Sequence, residues 1–182
     1  MIYLIGGAPR VGKSILCQQL AATLKIGWIS TDLLVQVLLV QNTEGIKHEW
    51  DANRQAIAAN AEWFFPYLDR FIWGVGSMAE RYVIEGVGFL PVHVQRLSSQ
   101  YAIRSVFLGC TQMTLETFDQ FPGHSPGYSL LSEEKRRQIV EDVPRWSAFI
   151  KEEAERFDYG YVDMADDFPR RLAEAEIILI DG

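Results

Sequence analysis

The sequence predicts one α/β domain built around an open sheet of parallel strands. Short apolar runs alternate with helical stretches along the chain, and several of the runs end in glycine. Strands of a parallel sheet are buried on both faces, so they have this short, continuous apolar pattern, with helices between them. Ligands of such sheets bind beyond the carboxyl ends of the strands. The candidate site should therefore lie at those ends.

Five segments are predicted to form the strands. They are residues 2–5, 28–29, 81–86, 104–109 and 159–163. Each is short, apolar and rich in β-branched or aromatic side chains, as strands usually are. We expect the third and fourth segments to lie on either side of the first.

The first two helices are predicted directly after the first two strands. Apolar residues recur every four positions after the first strand, at Leu16, Leu20 and Leu24. This spacing places them on one helical face, against the sheet. A second helix should follow residues 28–29, with Asp32 as its N-terminal cap. The chain therefore begins as strand, helix, strand, helix.

The later helices are interrupted by proline in the sequence. A long helical region is predicted over residues 51–78, with a break near Pro66. Turn residues concentrate at 122–127, and the helix after them should bend at Pro144. We interpret residues 122–146 as a small helical lid inserted into a single domain, residues 1–182. A last helix should begin near Asp166.

Length, charge and cysteine content exclude several classes of protein. A chain of 182 residues suits one compact domain. Its net charge of −7 argues against a nucleic-acid or acidic-membrane partner, because such surfaces are bound by clustered cations. Two cysteines give no disulfide framework, and no apolar run approaches the roughly 20 residues of a membrane-spanning helix. We expect a cytoplasmic monomer or homodimer without a membrane or nucleic-acid partner.

A phosphate-binding loop is predicted at residues 7–14. They match the pattern G-x-x-x-x-G-K-[ST], between a predicted strand and a predicted helix. A chance glycine-rich turn would match in roughly 1% of random chains of this length. The residues expected to bind the nucleotide are Gly7, Ala8, Pro9, Arg10, Val11, Gly12, Lys13, Ser14 and Ile15. For Arg10, an exposed loop position without a phosphate contact is the alternative.

This pattern has a physical basis that indicates ATP and Mg²⁺ as cofactors. Gly7 and Gly12 allow the backbone to curl, so that its amides point at phosphate oxygens. Lys13 is the candidate catalytic cation, which neutralises charge on the terminal phosphate. Ser14 supplies a hydroxyl to the magnesium ion.

Two acidic residues at predicted strand ends are candidates for the chemistry. Asp32 follows the second strand and could accept the proton of an acceptor hydroxyl, although capping a helix explains an aspartate there equally well. Glu85 ends the third strand, at a position that is expected to be buried. Because a buried acid without a partner would be unfavourable, we assign Glu85 to binding magnesium and the acceptor. The acceptor site is therefore predicted from Asp32, Glu85 and Gly86.

Basic residues after the turn at 122–127 could close over the phosphates. Arg137 and Arg145 are the candidates for this catalytic role. The spacing does not separate Arg136 from Arg137. A solvated helix face, with Glu133 and Glu134 paired to the neighbouring cations, remains the alternative.

Residues 7–14, 29–32 and 83–87 together resemble the small-molecule P-loop kinases, and within them the 2-phosphoglycerate kinase-like group. The order and spacing of the three segments agree with that group over residues 1 to about 163, and zeta-toxin-type kinases look more distantly related. The resemblance implies a three-layer α/β/α P-loop NTPase fold, a five-stranded sheet of order 2-3-1-4-5, and Asp32 and Glu85 facing the acceptor. Where the group usually has a histidine, this chain has Gly88.

The leading hypothesis is an ATP-dependent kinase acting on the hydroxyl of a small metabolite, for which 2-phosphoglycerate is one candidate. A nucleotide-binding sensor without turnover is a second possibility, and a nucleoside or nucleotide kinase a third. A GTPase switch is disfavoured, because we find no Asn/Thr-Lys-x-Asp motif. The acidic charge counts against a polynucleotide acceptor.

Overall fold

The computed structural model describes residues 1–40, 52–120 and 130–181. It contains one sheet, with strands β1 (Ile2–Gly7), β2 (Gly27–Ser30), β3 (Tyr82–Glu85), β4 (Ile103–Gly109) and β5 (Gly160–Asp163). All neighbouring strands are parallel, and their order is β2-β3-β1-β4-β5. The predicted five strands and their order are confirmed.

Helices connect the strands. They are α1 (Lys13–Leu24), α2 (Thr31–Leu39), α3 (Arg54–Met78), α4 (Pro91–Ser98), α5 (Leu115–Gln120), α6 (Glu133–Arg156) and α7 (Phe168–Asp181). Helices α4 and α5 are only eight and six residues long, and neither is predicted from the sequence. Segments this short hold too few apolar positions for a helical period to be recognised. Within the described residues, no helix has the length and apolarity needed to cross a bilayer.

Two hydrophobic clusters bury the two faces of the sheet. Alternate side chains of β1 point to opposite faces, so Tyr3 and Ile5 belong to one cluster while Ile2 and Leu4 belong to the other. The first cluster is completed by α1 and α7, and the second by α3 and α4. Helix α6 contributes to both. The sheet is therefore the middle of three layers.

The strand register aligns three positions at the carboxyl edge. Glu85 of β3 pairs with Ile5 of β1 on one side and with Ser30 of β2 on the other. The amide of Gly86 then donates to the carbonyl oxygen of Ile5 at 3.1 Å. Glu85 is thus held between the strand that enters the phosphate-binding loop and the strand that precedes Asp32.

Two expectations about helices are wrong. Ser30, not Asp32, caps α2: its hydroxyl oxygen accepts from the amide of Asp32 at 3.3 Å. Helix α3 continues through Pro66, without the predicted break. Helix α6 is also continuous across Pro144, where the predicted bend stays a prediction. A proline inside a helix costs about 3 kcal/mol, but each helix buries a long apolar face, which outweighs that cost.

The predicted lid at 122–146 is only partly described. Its residues 122–129 lie outside the described part of the chain. The remainder forms the start of α6, which does not end at residue 146 but continues to Arg156 and packs on the sheet. The hydroxyl of Ser147 accepts from the amide of Cys110, directly after β4, at 2.8 Å. The first half of α6 therefore extends past the carboxyl edge of the sheet.

His93 forms a buried polar contact at the start of α4. The amide of Leu90 donates to its Nδ1 at 3.1 Å, so the ring proton lies on Nε2, which donates to Glu62 at 3.0 Å. Burial lowers the pKa of His93 from its ordinary 6.5, and the hydrogen bond to Glu62 offsets part of that effect. Protonation of Nδ1 would also break the bond to Leu90.

We therefore expect stability to fall in mild acid. Between the lowered pKa of His93 and 6.5, the unfolded chain binds more protons than the folded one, so the free energy of unfolding decreases as pH drops below 6.5. The decrease is at most about 1.4 kcal/mol per pH unit. His93→Asn, which keeps an acceptor but does not titrate, should have a shallower dependence in urea unfolding at pH 7.5 and 5.5. Equal slopes in both proteins would contradict this account.

Candidate functional site

The phosphate-binding loop starts with a close approach between β1 and β4. Gly7 has φ +129°, a conformation that side chains disfavour, and the amide of Ala8 donates to the carbonyl oxygen of Leu108 at 2.9 Å. A Cβ at position 7 would lie 2.0 Å from that same oxygen. The glycine is therefore required both by its backbone angle and by the lack of space.

Gly7→Ala should be strongly destabilising. The clash with Leu108 and the positive φ together are expected to reduce the free energy of unfolding by roughly 3 kcal/mol in urea titrations. Gly74→Ala is the matched control, because nothing lies within 4 Å of an added Cβ on α3. The control should gain about 0.5–1 kcal/mol. Equal stability of Gly7→Ala and the wild type would show that the loop geometry is not as described.

Aromatic rings support the loop from α5 and α7. Gly12 has φ +92°, and a Cβ there would lie 2.7 Å from the ring of Phe168. Arg10 has φ +64°, and its guanidinium carbon lies 5.8 Å from the ring centroid of Phe118. Arg10 is half-buried rather than fully exposed. The loop is thus packed against α5 and α7 through these two rings.

Helix α1 begins immediately after this loop. Gly12 precedes its first residue, no side chain caps it, and its first turn has no acidic residue. The first amides of a helix lack intrahelical acceptors, and the helix dipole adds positive potential there. Residues 13 and 14 therefore open a helix whose N-terminus suits an anion such as phosphate.

Lys13 is almost fully buried at the base of the loop, with 7% exposure. Its ammonium group donates to the carbonyl oxygen of Ala8 at 2.5 Å. Burial lowers the pKa of Lys13 from its ordinary value, while the charges of Glu85 and Asp32 act in the opposite direction. A nearby phosphate would stabilise the charged form further. The structure thus places a buried cation where the motif predicts one.

Ser14 and Glu85 are brought together across 71 positions of sequence. The Ser14 hydroxyl donates to Oε1 of Glu85 at 3.1 Å, and Glu85 is only 4% exposed. A hydroxyl and a carboxylate are the oxygen ligands that Mg²⁺ prefers, so this pair fits the predicted metal site. The described residues contain no cluster of three or more His, Cys, Asp or Glu side chains. Phosphate oxygens and water would have to complete the coordination shell.

Thr31 was missed by the sequence analysis. It is fully buried, and its hydroxyl has no hydrogen-bond partner among the described residues. Gly86, with φ +153°, packs on it so closely that a Cβ would lie 1.8 Å from the threonine Oγ1. The only signal for Thr31 in the sequence is its place between a strand end and Asp32. Gly86 therefore has a packing role against Thr31, and its assignment to the acceptor site stays a prediction.

Asp32 is exposed, in the first turn of α2. It lies two residues after Ser30, which pairs with Glu85 at the carboxyl edge of the sheet, and its charge acts to raise the pKa of Lys13. An exposed carboxylate at the sheet edge that carries the phosphate-binding loop has the arrangement expected of a general base. Its assignment as the base remains a prediction.

The structure pairs the lid arginines with acids on α6. Arg137 donates to Glu133 at 2.6 Å on an exposed face, and Arg145 donates to Asp142 at 2.5 Å. Arg137 therefore lies on a solvated face beside Glu133, whereas Arg145 pairs with an acid that is buried. Arg136 instead bonds Asp119 of α5, next to the phenylalanine that supports Arg10. Which of them contacts phosphate remains a prediction.

Comparison with known proteins supports the fold. No protein-family model and no curated protein sequence matches the chain. A shikimate kinase from Bacteroides thetaiotaomicron superposes with a TM-score of 0.54 at 12% identity, covering 100% of this chain and 97% of that one. A candidate kinase from Chloroflexus aurantiacus gives 0.55 at 14% identity and 95% coverage of both chains. An uncharacterized protein from Eubacterium ventriosum gives 0.50 at 16% identity, over 100% and 96% of the chains. The fold is the three-layer α/β/α P-loop fold, as predicted.

Proposed function

We propose that the chain is an ATP-dependent kinase that phosphorylates a hydroxyl group of a small molecule. The observation that carries the proposal is the meeting of Lys13, the Ser14–Glu85 pair and Asp32 at one edge of the sheet. The loop and the buried lysine suit a nucleotide's phosphates, and the adjacent carboxylate suits an acceptor hydroxyl. The shikimate kinase of the same fold transfers phosphate to a small molecule, as its name states, which agrees with this proposal.

In the proposed reaction the acceptor oxygen attacks the γ-phosphorus of ATP. A bond forms between them, the bond from the γ-phosphorus to the bridging oxygen of ADP breaks, and the hydroxyl proton passes to Asp32. Lys13 stabilises negative charge on the transferred group, and the loop amides hold the remaining phosphates. The products are ADP, a phosphate ester and the proton that Asp32 later releases to water.

Ser14 and Glu85 are the side chains that would hold Mg²⁺. When bound, the ion would offset charge on the β- and γ-phosphates. Glu85 is buried between β1 and β2, and the Ser14 hydroxyl donates to it, so both neighbouring strands and helix α1 hold its carboxylate at this edge of the sheet.

The proposal is tested by ADP release with magnesium against a panel of hydroxyl metabolites that includes 2-phosphoglycerate. Release that depends on one class of acceptor would support the kinase and identify that class. Tight ATP binding without turnover on any acceptor would instead favour the sensor. The resemblance suggests 2-phosphoglycerate as one acceptor, but none of the similar structures supports that choice.

A further inference from the structure

Thr31 lies between the two strand ends that carry the candidate acids. It follows Ser30, which pairs with Glu85 in the sheet, and it precedes Asp32. Its side chain is fully buried, and its hydroxyl has no hydrogen-bond partner among the described residues. A buried polar group without a partner costs free energy, so its presence calls for a physical reason.

The hydroxyl oxygen of Thr31 lies against the α-carbon of Gly86. A Cβ at position 86 would be 1.8 Å from this oxygen. Because a carbon–carbon single bond is about 1.5 Å long, the α-carbon itself lies within about 3.3 Å of the oxygen. That is the short end of the range for a Cα–H···O contact, whereas two carbon atoms are best separated by about 3.5–4.0 Å. The position therefore suits an oxygen better than a methyl group.

The surrounding residues leave Thr31 little room to move. A Cβ on Gly88 would lie 3.2 Å from the Cβ of Thr31 and 2.9 Å from the ring of Phe64. A β-branched side chain also has few rotamers in a helix, and Thr31 opens α2. A valine in its place would therefore press a methyl group against Gly86 instead of turning away from it.

Gly86 links Thr31 to the residues that fit magnesium. Its amide donates to the carbonyl oxygen of Ile5 at 3.1 Å. The preceding residue is Glu85, whose Oε1 accepts from the hydroxyl of Ser14 at 3.1 Å. A displacement of Gly86 would strain its bond to Ile5 and move the backbone that carries Glu85 away from Ser14.

We propose that Thr31 is a positioning residue for the metal site of the kinase. Its hydroxyl oxygen holds Gly86 in place, and Gly86 in turn holds the Glu85 carboxylate beside Ser14. The oxygen acts here through its small radius, which accounts for a hydroxyl that is buried without a hydrogen-bond partner among the described residues. This inference rests on the proposed function and adds a residue that supports its magnesium ligands.

Three substitutions at position 31 test the contact in the protein without ligand. Thr31→Val replaces the oxygen with a methyl group, Thr31→Ala removes it, and Thr31→Ser keeps it. We expect the amide proton of Gly86 to exchange with solvent about 10-fold faster in the valine and alanine variants, measured by NMR, and at the wild-type rate in the serine variant. Ser105→Ala removes another buried hydroxyl without a described partner and should leave this rate unchanged.

The same variants test the link to magnesium through nucleotide affinity. Calorimetry gives the affinity for a non-hydrolysable ATP analogue with Mg²⁺ and with EDTA, and the ratio of the two measures the contribution of the metal. This ratio should fall about 10-fold in Thr31→Val and Thr31→Ala and be retained in Thr31→Ser. Thr31→Ser loses a buried methyl group and should melt below the wild type, so the ratio should not follow stability.

Several outcomes would overturn the inference. Unchanged exchange of the Gly86 amide in both Thr31→Val and Thr31→Ala would show that the oxygen does not hold the glycine. Faster exchange with an unchanged magnesium ratio would show that the contact does not position the metal site. Loss of the ratio in Thr31→Ser to the same extent as in Thr31→Ala would assign Thr31 a purely structural role, and this comparison decides the question even if Thr31→Val does not fold.

The wild-type protein separates this inference from the proposed function. If it binds the ATP analogue no more tightly with Mg²⁺ than with EDTA, the proposed function fails, and the positioning role fails with it. If the wild type does show a magnesium ratio and the variants keep it, only the role of Thr31 is wrong.

Discussion

Lys13→Met is expected to reduce phosphoryl transfer about 1000-fold. The substitution keeps an unbranched side chain of similar length but removes the cation that lies at the base of the loop, 7% exposed and bonded to Ala8. Negative charge on the transferred phosphate would then lose its buried counter-charge, which acts strongly because water is excluded there. The measurement is the initial rate of ADP release at saturating acceptor, with MgATP affinity measured separately.

Stability distinguishes this effect from unfolding. Burial disfavours the charged form of Lys13 and lowers its pKa, so replacement by an apolar side chain should leave the melting temperature unchanged or higher. Lys151→Met removes an exposed cation from α6 and should retain full activity. Activity of Lys13→Met within about 10-fold of the wild type would show that the buried lysine does not serve the transferred phosphate.

Asp32→Asn is expected to lower the rate of acceptor phosphorylation by about 100- to 10,000-fold. The amide keeps the shape of the side chain but cannot take the acceptor's proton. MgATP binding should change little, because the loop and the Ser14–Glu85 pair remain intact. The expected result is thus a large loss of turnover with the nucleotide affinity almost unchanged.

The same substitution also removes an acid from the first turn of a helix. Glu134→Gln is the matched control, since Glu134 is an exposed acid in the first turn of α6. Each change should reduce stability by less than about 1 kcal/mol through the helix dipole. Equal loss of activity in both variants would mean that Asp32 acts only through helix stability, as a structural residue.

The positions of the strands and the loop could be predicted from the sequence. The five short apolar runs form the five strands. Strands that are buried on both faces of a parallel sheet have this short, continuous apolar pattern, so they can be recognised in the sequence. The proximity of Ser14 and Glu85 followed from the rule that strand carboxyl ends meet at one edge, and the structure gives it as a 3.1 Å contact. These predictions depend on local patterns and on sheet topology.

Features that depend on tertiary contacts could not be predicted. Pro66 lies within a continuous helix because the neighbouring positions bury an apolar face. The free energy of that burial comes from tertiary packing and is not part of the local helix propensity. Thr31 is buried only because Gly86 and Gly88 pack on it from another part of the chain. The exposure of Leu33 and Val37 is likewise a property of the assembled layers, since apolar spacing alone would place such residues in the core.

The most direct test of the central claim follows the phosphate itself. Phosphorus NMR of MgATP incubated with the protein and the panel of hydroxyl metabolites distinguishes a phosphate ester from inorganic phosphate. The account predicts that wild-type protein forms a phosphate ester in equal amount to ADP, and that Asp32→Asn forms almost none. Formation of inorganic phosphate alone, at the same rate in both proteins, would contradict a kinase that uses Asp32 as its base.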